Sequence, residues 1–408
     1  MIVTNNNGMT QNRDIVVIGI QPWDIEIGSN CKNIAEEFAC NNRVLYVNSP
    51  LDRNTRQKDK LTPRIQKRIR IQNGKEPDLV KLDENLWNLY PRGMVESINL
   101  IGNPWLYDLL NKRNNRIFAT AIKSAIERLG FRDFIIFNDS SMFLGMYLKE
   151  ILKPETYIYY TRDNLVAVDY WKKQGIRIES QHMKKADLVV ANSTYLAAEA
   201  RKHNANSFYV GQGCDVTLFD TNLVTTIPSD IRDIPKPIIG YIGALYTLRL
   251  DLQVLEHIAE SRPGWSIVFV GPEDQNFKGS RLHQLKNVYF LGNKTGNELP
   301  SYLHQFDVAI NPQVLSPVTI GNYPRKIDEY LAMGKPTVAT RTEAMNVFAE
   351  FVYLSESKEE YVINIEKALR EDNDQVREKR KTFAREHTWE NNVREIFKAI
   401  DLVKTAKQ

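Results

Sequence analysis

Apolar runs of strand length alternate with helix-compatible sequence along this chain, and they do so in two series. The first series opens with Ile15-Val16-Val17-Ile18-Gly19 and a loop over residues 21–28. A helix follows that Ser29 is suited to cap, with Ile34, Ala35 and Phe38 on one face. Val44-Leu45-Tyr46-Val47 is the next strand, so the opening is a strand–loop–helix–strand unit and its strands are parallel. Runs at residues 86–90, 134–137, 157–160, 188–191 and 208–210 continue the series. The clearest helices between them cover 117–129 and 195–202. Residues 221–237 break the pattern with Pro228, Pro235, Pro237 and little periodicity, which reads as a linker. A second series starts at Pro237-Ile238-Ile239-Gly240-Tyr241-Ile242-Gly243 and returns at 266–270, 288–291, 307–310, 337–340 and 351–354. Residues 360–370 and 375–385 read as charged surface helices, and 389–404 as an amphipathic one. Two such series predict an α/β fold of two Rossmann-like, doubly wound parallel sheets facing a cleft.

Size agrees, since 408 residues exceed what one core comfortably holds. The expected division is an extended or disordered N-terminus at 1–13, a first domain at 14–225, a linker at 226–236, a second domain at 237–387 and a terminal helix at 388–408. Hydrophobic content of 42% and charged content of 25% are those of a globular protein in water. No apolar run approaches the roughly 18 residues of a membrane span, and the polar first residues lack a signal-peptide core. Cys31, Cys40 and Cys214 have no metal-type spacing and suit a reducing cytoplasm. Residues 53–75 hold nine Lys or Arg and one acid, Asp59, and Trp105, Leu106, Tyr107, Leu109 and Leu110 follow in an amphipathic segment. A mobile solvated loop is the favoured reading of the basic run. Peripheral contact with an anionic membrane surface is the alternative. No recognition motif for nucleic acid accompanies it.

The densest chemistry lies in residues 318–340, Val-Thr-Ile-Gly-Asn-Tyr-Pro-Arg-Lys-Ile-Asp-Glu-Tyr-Leu-Ala-Met-Gly-Lys-Pro-Thr-Val-Ala-Thr. A loop over Thr319, Gly321, Asn322 and Tyr323 leads to Pro324 at the expected first helical position. Ile327, Tyr330 and Leu331 share one helical face, and Gly334 is the expected stop. The helix start attracts an anion such as a diphosphate, Lys326 can reach it, and Glu329 can accept hydrogen bonds from paired hydroxyls, as on a ribose. The bland alternative is an ordinary helix with a solvated Lys-Asp-Glu cluster.

This stretch resembles the donor-binding signature of GT-B glycosyltransferases of the group 1, or family-4-like, class. The resemblance covers nearly the whole chain and is most specific over residues 237–340. It implies that Glu329 binds the ribose of a nucleotide-diphosphate sugar. The family's second glutamate, eight positions earlier, is here Gly321, a departure at the place that would hold the donor sugar. Gly243, at the end of the second domain's first strand, is implied to admit the diphosphate. Arg249 and Lys326 are implied to stabilise the departing diphosphate electrostatically. Asn293 and Lys294 would border the base, or else form a tight turn. In the first domain Gly28, Ser29 and Arg162 mark an acceptor or phosphate loop, and Asp163 either activates an acceptor hydroxyl or caps the next helix. Glu179 with Ala186-Asp187-Leu188, and Gly213-Cys214-Asp215, also match the family's pattern and support the architecture. The implied terminal helix packs back on the first domain.

The expected activity is therefore transfer of a sugar from a nucleotide-diphosphate sugar to a glycan, a lipid-linked or another hydroxyl acceptor, with no cofactor and no metal. Retention of configuration and a role in bacterial surface-polysaccharide assembly, in the cytoplasm or at the inner membrane face, follow from the resemblance alone. A sugar-nucleotide 2-epimerase of the same fold and a non-catalytic nucleotide- or glycan-binding protein are the alternatives. The six histidines are scattered, Asp372-Asn373-Asp374 reads as a solvated turn, and no phosphate-binding loop or nucleophile elbow is present.

Overall fold

The computed structural model describes residues 3–4, 10–25 and 29–406. The chain forms two compact units, Met1–Gly211 with Trp389–Gln408, and Gln212–Thr388.

In the first unit, β1 (Val3–Thr4) and β2 (Thr10–Gln11) pair antiparallel as a separate ribbon. The main sheet contains β3 (Asp14–Gly19), β4 (Arg43–Asn48), β5 (Leu79–Asp83), β6 (Leu86–Leu89), β7 (Ile135–Asp139), β8 (Thr156–Thr161), β9 (Leu188–Ala191) and β10 (Ser207–Tyr209). Its order is β10-β9-β8-β7-β3-β4-β6-β5, parallel except for the edge strand β5. The strands are apolar on both faces because both are covered. Ile15, Val17, Val44 and Tyr46 join one core with helices Asn30–Ala39 and Trp389–Thr405. Val16, Ile18, Leu45 and Val47 join the other with the long helix Pro104–Leu129. The terminal helix buries Trp389, Val393, Ile396, Phe397 and Ile400 on this unit, with Phe397 edge-on to Phe38 at 5.6 Å.

The second unit is a six-stranded, wholly parallel sheet: β11 (Ile238–Ile242), β12 (Ser266–Val270), β13 (Val288–Phe290), β14 (Val308–Asn311), β15 (Thr337–Thr340) and β16 (Tyr353–Ser355). Its order is β13-β12-β11-β14-β15-β16, so chain direction across the sheet reverses between β11 and β14. Ligands of such sheets sit beyond the carboxyl ends of the strands at that reversal.

Three expectations are corrected. The first domain ends at Gly211, not 225, because Val216, Leu218, Phe219 and Val224 pack into the second unit's core. The stretch 226–236 is no free linker: helix Ser229–Arg232 buries Ile231, and Ile234 packs beside it. The basic run is no loop but two helices, Arg53–Lys58 and Pro63–Gln72. Pro63 starts the second, and Ile65, Arg68 and Ile71 form its buried face. Arg53 pairs with Glu96 and Arg70 with Glu76. The expectation for 1–13 falls largely outside the described residues, apart from the β1–β2 ribbon and a buried Arg13.

Candidate functional site

The carboxyl end of β11 is built around a glycine contact. Gly271, after β12, has φ +151°, and a Cβ there would stand 2.0 Å from the Gly243 carbonyl oxygen. Only glycine permits these two strand ends to lie so close. Lys326 reaches the same place: a Cβ on Gly243 would lie 3.2 Å from its Cε and Nζ, and its ammonium lies 4.8 Å from the centre of the Tyr241 ring. That is cation–π distance, and the ammonium makes no ion pair with a described residue.

The helix carrying Lys326 is Lys326–Ala332, with Arg325 at the N-cap position. It starts two residues later than Pro324, whose carbonyl instead closes a turn by accepting the Ile327 N–H at 2.9 Å. The stop is as expected: Gly334 has φ +69°, with the Lys335 N–H on the Tyr330 carbonyl (2.9 Å) and the Gly334 N–H on that of Leu331 (2.8 Å). Tyr330 fastens the helix to the strand, its hydroxyl accepting the Ile242 N–H at 3.0 Å.

Glu329 lies one turn beyond Lys326 on the same helix and is half-buried. Its carboxylate makes no hydrogen bond or ion pair with a described residue. Burial pushes its pKa above the usual range, Arg325 and Lys326 pull it back, and Asp328 adds to the rise. A partly desolvated, acceptor-only group of this kind gains most from hydroxyl donors. In the preceding loop Gly321 and Asn322 are buried, and Asn322 Oδ1 has no partner among the described residues. Arg249 is exposed and makes no ion pair with a described residue. Its carbonyl accepts the Val314 N–H at 2.9 Å, which ties its segment to the chain leaving β14. Gly243, Lys326, Glu329 and the backbone of Arg249 thus gather at the β11–β14 reversal.

Other expected residues stand elsewhere. Tyr323 turns inward, donating its hydroxyl to buried Asp328 (3.2 Å), which His387 Nδ1 contacts at 2.6 Å. Lys294 is held by Asp230 (2.6 Å) and lies over the Tyr302 ring (5.0 Å), so its cation is already matched. Asn293 is exposed. In the first unit Ser29 is buried at the helix start, but its Oγ makes no cap and has no partner among the described residues. Gly28 lies outside the described residues. Arg162 follows β8 and is gripped by Asp139 (2.9 Å) and Asp163 (3.2 Å). Asp163 does not stand at an N-cap position: Asn164 precedes the short 3₁₀ helix Leu165–Ala167, and Val168 precedes helix Asp169–Lys185. With Glu179 and Glu199, Asp163 lines a cavity of about 260 Å³. A larger cavity, about 700 Å³, opens beside Pro237 and Pro336 at the amino ends of β11 and β15, the opposite end from Gly243. Its Lys236, Arg377 and Lys381 are paired with Asp307, Asp372 and Glu378. Among the described residues no group of three His, Cys, Asp or Glu is placed to hold a metal ion.

The Asp328–His387–Tyr323 contact is what sequence reasoning missed. Asp328 stands three residues before buried Leu331, a spacing that puts a carboxylate on the core face and demands a partner. Nothing local points to His387, which is 59 residues away.

Residues 236–371 match the family described as glycosyl transferases group 1. That match lies within the second unit. Over 257 residues, 60% of the chain, the sequence is 28% identical to TuaH of Bacillus subtilis (strain 168), assigned as a teichuronic acid biosynthesis glycosyltransferase. The matched stretch spans 64% of that relative's length. Among solved structures the fold is similar to sucrose-phosphate synthase from Thermosynechococcus elongatus (TM-score 0.65, 15% identity, 97% of this chain and 100% of that one). It is similar also to Anabaena HepE in complex with UDP (TM-score 0.64, 15% identity, 95% and 99%). An α,α-trehalose-phosphate synthase (UDP-forming) from Burkholderia vietnamiensis has TM-score 0.69 at 10% identity over 98% of both chains. At these identities the likeness is one of fold, two Rossmann-like units of the GT-B type.

Proposed function

We propose that the protein is a glycosyltransferase that moves a sugar from a nucleotide-diphosphate sugar to a glycan or lipid-linked hydroxyl acceptor in bacterial surface-polysaccharide assembly. The observation that carries this is the Glu329 carboxylate, without a hydrogen-bond or ion-pair partner among the described residues, one helical turn from Lys326, which makes no ion pair with a described residue, at the β11–β14 reversal. In this reading Glu329 takes the ribose hydroxyls, while Lys326 and Arg249 meet the charge that grows on the departing diphosphate. The buried amide of Asn322 and the backbone at Gly321 face the rest of the donor, and the first unit takes the acceptor. Asp163, held by Arg162, is a candidate to orient the acceptor hydroxyl. In this reading transfer is retaining and uses cations of the chain rather than a metal. It takes place in the cytoplasm or at the inner membrane face. The UDP held by HepE makes a uridine donor the first to try.

The test is a binding screen of nucleotide diphosphates and their sugars against wild type and Glu329→Ala, with product analysis in the absence of acceptor. Wild type is expected to bind one of them. The variant should bind at least about tenfold more weakly, since lost hydrogen bonds to a charged acceptor are each worth about 1.5–3 kcal/mol. Equal binding by both proteins removes Glu329 from the site, and conversion of the sugar nucleotide alone to its epimer replaces transfer with epimerisation.

A further inference from the structure

The first unit presents an amphipathic face built from three segments, residues 58–64, 100–116 and 170–171. Leu61 (78% exposed), Leu100 (82%), Trp105 (73%), Leu109 (55%) and Tyr170 (61%) stand in solvent there. A cavity of about 580 Å³ brings the three segments together, lined by Lys58, Asp59, Leu100, Phe143, Tyr170 and Trp171. The apolar groups sit on a braced scaffold: Lys173 Nζ donates to the Leu100 carbonyl (2.7 Å), Gln174 Nε2 to that of Ile101 (2.9 Å), and Arg177 pairs with Asp108 (2.7 Å). Trp105, Leu109, Lys112 and Arg116 follow one another on one face of helix Pro104–Leu129. Seven residues separate Trp105 from Lys112, about 10 Å of helix at 1.5 Å per residue. Lys58, Lys60, Arg64, Lys112 and Arg116 are exposed without ion pairs to described residues, unlike Arg53 and Arg70 of the same basic run.

We propose that this face docks on an anionic lipid bilayer, with Leu100, Trp105 and Leu109 entering the boundary between headgroups and acyl chains and the five cations against lipid phosphates. Charge decides the occupant. A second copy of the chain would set these cations against their own kind, whereas anionic headgroups complement them. Among the described residues no helix is long and apolar enough to cross a membrane, so the contact is peripheral. The donor site is not needed for it.

The test is co-sedimentation of the full-length protein with vesicles of phosphatidylcholine and phosphatidylglycerol, and of phosphatidylcholine alone, at low and high salt. Wild type is expected to pellet with the anionic vesicles at low salt and to be released by salt. Trp105→Ser with Leu109→Ser, and separately Lys112→Glu with Arg116→Glu, should each weaken pelleting by about tenfold or more while far-UV circular dichroism stays unchanged. All four side chains are exposed, so these variants keep the fold. Three results overturn the proposal: no pelleting with anionic vesicles, pelleting by the variants equal to wild type, or equal pelleting with phosphatidylcholine alone. A dimer that Trp105→Ser dissolves would assign the face to a second copy instead.

Discussion

Two glutamates show how this chain uses partly or wholly buried acids. Glu329 is half-buried with no hydrogen-bond donor among the described residues, an arrangement that costs desolvation energy without a compensating bond. Glu179 is buried against the Tyr159 hydroxyl (2.9 Å), and burial pushes its pKa from 4.5 up to about 7. Between those two values the folded protein holds a proton that the unfolded chain has lost. Stability from this group therefore falls as pH rises across that window, and the full penalty stands above about 7. Glu179→Gln is expected to flatten the pH dependence and to raise stability at mildly alkaline pH, as read by urea unfolding on both sides of neutrality. At this scale the sequence pointed to Glu329, Lys326 and Gly243 through local patterns, and the structure places Lys326 beside Gly243 and one turn from Glu329. It could not disclose that Tyr323 and Lys294 are engaged by His387, Asp328 and Asp230, since those partners come from other elements.

The helix Lys326–Ala332 is short, and its place is set by contacts at its ends rather than by its length. Tyr330 ties it to β11, and the turn at Gly334 closes it with two backbone bonds. Gly334→Ala would put a side chain into left-handed backbone, with Arg377 Cβ and Lys381 Cε only 3.2 Å from the new methyl. A loss of about 1–2 kcal/mol is expected, measured as a shift of the chemical-denaturation midpoint. Strands were the most legible elements, since a parallel sheet covered on both faces writes itself as unbroken apolar runs. Edge strand β5 was not, because Lys81 and Asp83 interrupt it. The two basic helices were not legible although Pro63 with Ile65 and Ile71 carries a helix signal, because so dense a run of charge suits a solvated loop as well.

Across the whole molecule the two units are nested: the second, Gln212–Thr388, is inserted into the first. Its two ends are held together, the Cys214 N–H on the His387 carbonyl at 2.9 Å. In the first unit Asn392 Nδ2 donates to the carbonyls of Val210 and Gly211 at 2.9 and 2.8 Å, which fixes the returning helix beside the point of departure. Ending the chain after Thr388 removes the whole apolar face of the terminal helix from the first unit's core. Limited proteolysis of such a truncation is expected to digest the first unit while a fragment spanning 212–388 persists. Because the helix Trp389–Thr405 that finishes the first unit is synthesised after the whole of the second, the unit begun first is completed after the one inserted in it. The inserted one can fold as soon as its own strands have emerged, while the sheet of the first waits, one face uncovered, for the returning helix.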